Sequence, residues 1–204
     1  MLIDSHCHLD HFRGEVDAVI GRAHASGVTA MLTISTTLAG FPEVLAIAEQ
    51  HERVFCTVGV HPHEAAAEST VTAAELVRLA AHPKVVGIGE CGLDFYYNRS
   101  PQEIQIASFR THITAARESG LPLVVHTRDA DATTAAILAE EQQAGPFAGV
   151  LHCFSSGRKL AETAVGLGLY VSFSGILTFK KSDELRAIAT RLPVERLLVE
   201  TDAP

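Results

Sequence analysis

Short β-branched or apolar runs alternate with alanine-rich amphipathic stretches along all 204 residues, which restricts the chain to βα units built on a parallel sheet. The pattern predicts eight strands, near 2–7, 28–35, 54–60, 85–90, 122–127, 148–153, 168–174 and 196–201. It places helices between them near 14–26, 41–52, 72–82, 101–119, 130–143, 157–166 and 182–191. Several helix ends are readable. Thr72-Ala73-Ala74-Glu75 has the form of a capping box, Pro101 suits a first helical position, and Gly27 and Gly120 follow helices. Eight strands and seven helices make a TIM-type (β/α)8 barrel lacking its last helix, read as a single domain over 1–204 that is incomplete at its C-terminus. Leu197 and Val199 should then sit on an uncovered apolar outer face. An open doubly wound sheet is the alternative, because alternation alone does not establish closure.

Composition narrows the class. Nearly half the residues are hydrophobic, and no uninterrupted apolar run approaches the roughly 18 residues of a membrane helix. Met1-Leu2-Ile3 runs straight into Asp4-Ser5-His6 without a basic leader, so a cytoplasmic location is expected. Four cysteines without a C-x-x-C pair read as reduced thiols, with Cys7, Cys91 and Cys153 packing outward against helices. A net charge of −8 argues against a broad basic surface for duplex nucleic acid.

Ionisable residues gather at the C-terminal ends of the predicted strands, where parallel barrels keep their chemistry. His6 and His8 share one face of the first strand, His61 and His63 follow the third, and Glu90 ends the fourth. His126, His152 and Asp202 end the fifth, sixth and eighth. Four imidazoles and two carboxylates exceed one tetrahedral site, so two divalent ions (Mg, Mn or Zn) are inferred. His6, His8 and Asp202 are assigned to one ion, His126 and His152 to the other, and Glu90 bridges them. Such a pair lowers the pKa of a coordinated water, and Asp202 is placed to orient that water and shuttle its proton, which predicts hydrolysis. Glu200, two residues before Asp202, reads as a supporting carboxylate. His11, His24, His51, His82 and His112 fall in helices or their ends and are not assigned to metal.

These residues lie in six ordered blocks that resemble the TatD-type metal-dependent deoxyribonucleases of the amidohydrolase superfamily. The blocks are Asp4-Ser5-His6-Cys7-His8-Leu9-Asp10, Gly59-Val60-His61-Pro62-His63, Gly87 through Asp94, Leu121 through Arg128, Leu151-His152-Cys153-Phe154-Ser155 and Glu200-Thr201-Asp202-Ala203-Pro204. The resemblance spans essentially the whole chain. It implies a TIM-type barrel, two metals on the six ligands just named, and 3′-to-5′ DNA exonuclease activity supported by Mg or Mn. Family members normally continue beyond the last block, supplying the final helix.

A nuclease needs cations for phosphate and surfaces for unstacked bases. Arg128, two residues after His126, and Lys180-Lys181, after the seventh strand, are expected phosphate contacts. Phe95, Tyr96 and Tyr97 offer stacking surface. His61 and Asp94 are expected to contact substrate, Asp94 through the turn that Gly92 permits. The expected partner is DNA, single-stranded or at 3′ ends, with no membrane and no obligate protein partner. Hydrolysis of a small amide, lactone or phosphoester by the same centre is the alternative.

Overall fold

The computed structural model describes residues 2–204. Its eight strands are β1 (Leu2–Cys7), β2 (Val28–Thr33), β3 (Val54–Val58), β4 (Val85–Asp94), β5 (Leu123–Arg128), β6 (Gly149–Leu151), β7 (Tyr170–Phe173) and β8 (Leu197–Val199). They form one sheet in sequence order, each parallel to the next. This consecutive order rules out the doubly wound alternative, whose order reverses at a switch point. The helices are α1 (Val16–Ala25), α2 (Phe41–Gln50), α3 (Ala73–Ala80), α4 (Gln102–Ser119), α5 (Asp131–Ala144), α6 (Arg158–Gly166) and α7 (Asp183–Ala189). The Thr72 hydroxyl accepts the Glu75 N–H at 3.2 Å, and Gly120 ends α4 with φ +71°, as those sequence signals predict.

The seam between first and last strands is nearly closed. Cys7 bridges Ala203 in parallel, Asp202 N–H donates to the His6 carbonyl at 2.9 Å, and His8 N–H donates to the Ala203 carbonyl at 2.7 Å. Buried Asp4 reinforces it by accepting from Thr201 N–H at 2.9 Å and from the Thr201 hydroxyl at 2.6 Å. Apolar side chains from Ile88, Leu93, Phe109, Ile113, Leu123, Leu151 and Phe154 form the fully buried centre of the core. Beside the seam, Val199 is 61% exposed, as expected, whereas Leu197 packs partly against the core.

β4 runs four residues beyond its predicted end. Gly92 pairs with His126 and Asp94 with Arg128, so Asp94 ends a strand and does not lie in a turn. Gly92 makes this possible, because its φ is +127° and a Cβ there would lie 2.1 Å from the His126 carbonyl oxygen. The cysteines are free thiols. Cys7 and Cys91 are buried in the core, but Cys153 departs from expectation: with φ +39° it leaves the strand alternation, lines a surface cavity and sits 3.1 Å from the Ser174 hydroxyl.

Candidate metal centre

The strand ends deliver His6, His8, Glu90, His126, His152 and Asp202 to one region at the C-terminal mouth of the barrel. A cavity of about 410 Å³ opens above it, lined by residues that include His8, His61, Glu90, His126, His152 and Asp202. Glu90 is 2% exposed and stands at the centre. Its Oε2 faces His6 Nε2 at 3.4 Å and His8 Nε2 at 3.9 Å. Its Oε1 faces His152 Nε2 at 2.7 Å, His126 Nδ1 at 3.3 Å and His61 Nε2 at 3.5 Å. The two oxygens of one carboxylate therefore address two sets of imidazoles.

The first set fits a divalent ion. Four-coordinate bonds of about 2.0–2.1 Å separate ligand atoms by about 3.4 Å. His6 Nε2 and His8 Nε2 lie 3.3 Å apart, and Asp202 Oδ1 lies 3.6 and 3.8 Å from them. In the second set both ring nitrogens of buried His152 lack an aligned hydrogen-bond partner, although Nε2 points at Glu90. The cavity lining includes no lysine or arginine to balance its carboxylates. Imidazole nitrogens and carboxylate oxygens brought together with no lysine or arginine among them are the donor set of a cation site.

The electrostatics follow from this crowding. Burial pushes the Glu90 carboxyl up, but the imidazoles of His152, His61 and His126 that face it hold it well below the usual carboxylate range. Burial lowers His152, yet Glu90 and Glu200 raise it to about 10. Burial alone dominates at His61, which falls to about 3 despite Glu90, and at His8, which is lowered.

The expected ligands thus converge, while the expected substrate contacts divide. His61 lines the cavity. Asp94 does not: it is 1% exposed, and its Oδ2 accepts from His63 Nε2 at 2.9 Å and His126 Nε2 at 3.1 Å while Oδ1 accepts from Tyr97 N–H. Extension of β4 turned it beneath the imidazoles. Arg128 lines an adjoining cavity of about 900 Å³, together with Lys181; the expected Lys180 is exposed but does not line it. Tyr96 and Tyr97, each half exposed or more, stack on the Arg128 guanidinium at 4.3 and 4.7 Å. His11 also lines the central cavity, its ring stacked on His8 at 5.3 Å, and its place on the short 3-10 turn Leu9–His11 after β1 was the available signal. Glu200 faces His152 Nδ1 at 3.5 Å and accepts from Ser172 at 2.6 Å, as a supporting carboxylate should.

The model of the family described as TatD related DNase matches residues 3–204. The chain belongs to that family. It is 43% identical to the uncharacterized metal-dependent hydrolase YcfH of Escherichia coli K12, over 100% of this chain and 77% of the relative. It is 39% identical to a protein of Enterobacter lignolyticus named 3′-5′ ssDNA/RNA exonuclease TatD, over 95% of this chain and 74% of the relative. The crystal structure of YjjV, a TatD homologue of Escherichia coli K12, superposes with a TM-score of 0.92 at 31% identity, covering 100% of this chain and 79% of that one. These TatD-family relatives are metal-dependent hydrolases, and the chain is one of them. Among the described residues no helix is long and apolar enough to cross a membrane.

Proposed function

We propose that the protein is a two-metal phosphodiesterase that removes nucleotides from the 3′ ends of single-stranded DNA in the cytoplasm. The observation that carries this reading is the split of Glu90, whose Oε2 and Oε1 face separate imidazole sets. His6, His8 and Asp202 would hold one ion, His126 and His152 the other, and Glu90 both. Bound Mg, Mn or Zn would supply Lewis acidity and an activated water to the scissile phosphate. Asp202, whose side chain is 31% exposed at the mouth of the cavity, is placed to orient such a water and would take its proton. Arg128, backed by Tyr96 and Tyr97, is offered to the strand as a charged and aromatic platform beside the centre. Asp94 acts one layer below, holding His126 so that Nδ1 faces the site. The exonuclease name of the Enterobacter relative supports a single-stranded nucleic acid as substrate.

The test compares release of 3′-terminal nucleotides from single-stranded DNA with turnover of generic phosphoesters, amides and lactones, in Mg and in Mn. Release of 3′-terminal nucleotides is expected with at least one metal. None with either, or faster turnover of a lactone, overturns the reading. His6→Ala is expected to abolish turnover while the unfolding midpoint stays near the parental value.

A further inference from the structure

Proximity alone makes His61 a candidate metal ligand, since a nitrogen of its ring and ligand atoms of Glu90 and His126 all lie within 4.8 Å of one another. Its hydrogen bonding excludes that role. The His61 Nδ1 accepts the backbone N–H of His63 at 3.1 Å, so Nδ1 carries a lone pair and no hydrogen. A neutral imidazole has one N–H, which is then on Nε2, the atom facing Glu90 Oε1 at 3.5 Å. A nitrogen bearing hydrogen has no lone pair for an ion.

The opposite wiring governs the two neighbours. His126 donates from Nε2 to Asp94, which leaves the Nδ1 lone pair turned toward Glu90. His152 turns Nδ1 toward Glu200, which leaves Nε2 toward Glu90. A carboxylate behind a histidine frees the forward nitrogen for metal, whereas a backbone N–H behind it makes the forward nitrogen a donor.

The loop cannot easily exchange one arrangement for the other. Pro62 fixes the turn that brings the His63 N–H back onto His61. The His63 ring is tied to Asp94 at 2.9 Å and its carbonyl accepts from the Ser100 hydroxyl at 2.8 Å. On the other side, His61 N–H donates to the Thr36 carbonyl and Val60 N–H donates to His112 Nε2, both at 2.9 Å. Moving the proton to Nδ1 would set two N–H groups head to head.

We propose that His61 is a neutral hydrogen-bond donor whose Nε2–H binds a phosphoryl oxygen of the substrate, and that it holds no metal. This rests on the phosphodiesterase reading, because a phosphoryl oxygen is a hydrogen-bond acceptor and His61 lines the cavity in which the scissile phosphate would lie. The H-P-H spacing acquires a purpose: the second histidine, anchored by Asp94, sets the proton of the first.

Three measurements test it without requiring turnover of DNA. Long-range proton–nitrogen correlation spectra of the Mg-loaded protein, assigned by comparison with His61→Gln, should show His61 protonated at Nε2; protonation at Nδ1 overturns the proposal. Titration with Mn should give the same number of ions for the parent, His61→Ala and His61→Gln; loss of one ion in both variants makes His61 a ligand and overturns it. Inorganic phosphate should bind the Mn-loaded His61→Ala protein about tenfold or more weakly than the parent, the loss expected for a hydrogen bond to a charged group. His61→Gln, whose amide can donate, should recover part of that loss; equal phosphate binding by all three proteins overturns the proposal. Failure of DNA turnover with these outcomes intact would discard the exonuclease reading and leave the donor assigned to another phosphoester.

Discussion

His112 lies wholly buried on α4, far from any metal role, yet it supports the loop that carries His61. Its Nδ1–H donates to the Ser108 carbonyl at 2.8 Å, and its Nε2 accepts the Val60 N–H at 2.9 Å. Protonation would replace that acceptor with a donor. Burial accordingly lowers its pKa from 6.5 to about 4, against a smaller opposing effect of the Ser108 carbonyl. Because the folded value lies below the unfolded one, the unfolded chain binds the extra proton between pH 6.5 and 4, and stability falls as pH drops through that window. The loss attributable to His112 should approach about 3 kcal/mol at the acid end. Urea unfolding followed from pH 7 to pH 4 should show a loss of stability that is smaller in His112→Gln than in the parent by about that amount. Identical slopes would refute the assignment. Sequence pattern located His112 on a helix and gave it no function, because its partner is a backbone N–H on a different element.

At the scale of elements, β4 does most to shape the site. Pairing with β5 through Asp94 sets Glu90 at the centre and Asp94 beneath His126, and both depend on backbone that approaches too closely for a side chain. Gly92→Ala would add a Cβ 2.1 Å from the His126 carbonyl oxygen at a φ of +127°. Strain of that kind costs roughly 1–3 kcal/mol before the clash is counted. The substitution should lower the urea midpoint and weaken Mn binding together, since the displaced backbone carries His126. An unchanged Mn affinity in a folded Gly92→Ala protein would show that β5 holds the ligand alone. The predicted strand stopped at Glu90 because glycine-rich sequence reads as a turn, and only the pairing partner reveals that it continues.

For the whole molecule, the decisive contact is the seam. Asp4 joins β1 to the segment after β8 by accepting twice from Thr201, the residue before the proposed ligand Asp202. Asp4→Ala would leave a backbone N–H and a hydroxyl without their acceptor, at a cost of about 1–3 kcal/mol for each group that stays buried. It should also weaken Mn binding, because Asp202 would no longer be fixed opposite His6 and His8. Calorimetric unfolding with and without Mn measures both effects; a Mn-induced stabilisation equal to that of the parent would show that the seam is not needed for the site.

The strands along the chain, their helices and the residue types at their C-terminal ends were legible in the sequence. Side-chain period fixes which face a residue occupies, and alternation of strands and helices points to a parallel sheet, whose neighbour order and near closure the fold decided. That was enough to gather His6, His8, Glu90, His126, His152 and Asp202 at one mouth. Tertiary structure alone decided that Asp94 turns under the imidazoles, that Lys181 and not Lys180 lines the adjoining cavity, and which nitrogen each histidine presents. The reason is physical: a period is a local property of the chain, whereas the proton on an imidazole is set by whatever donor or acceptor folding brings to its far side.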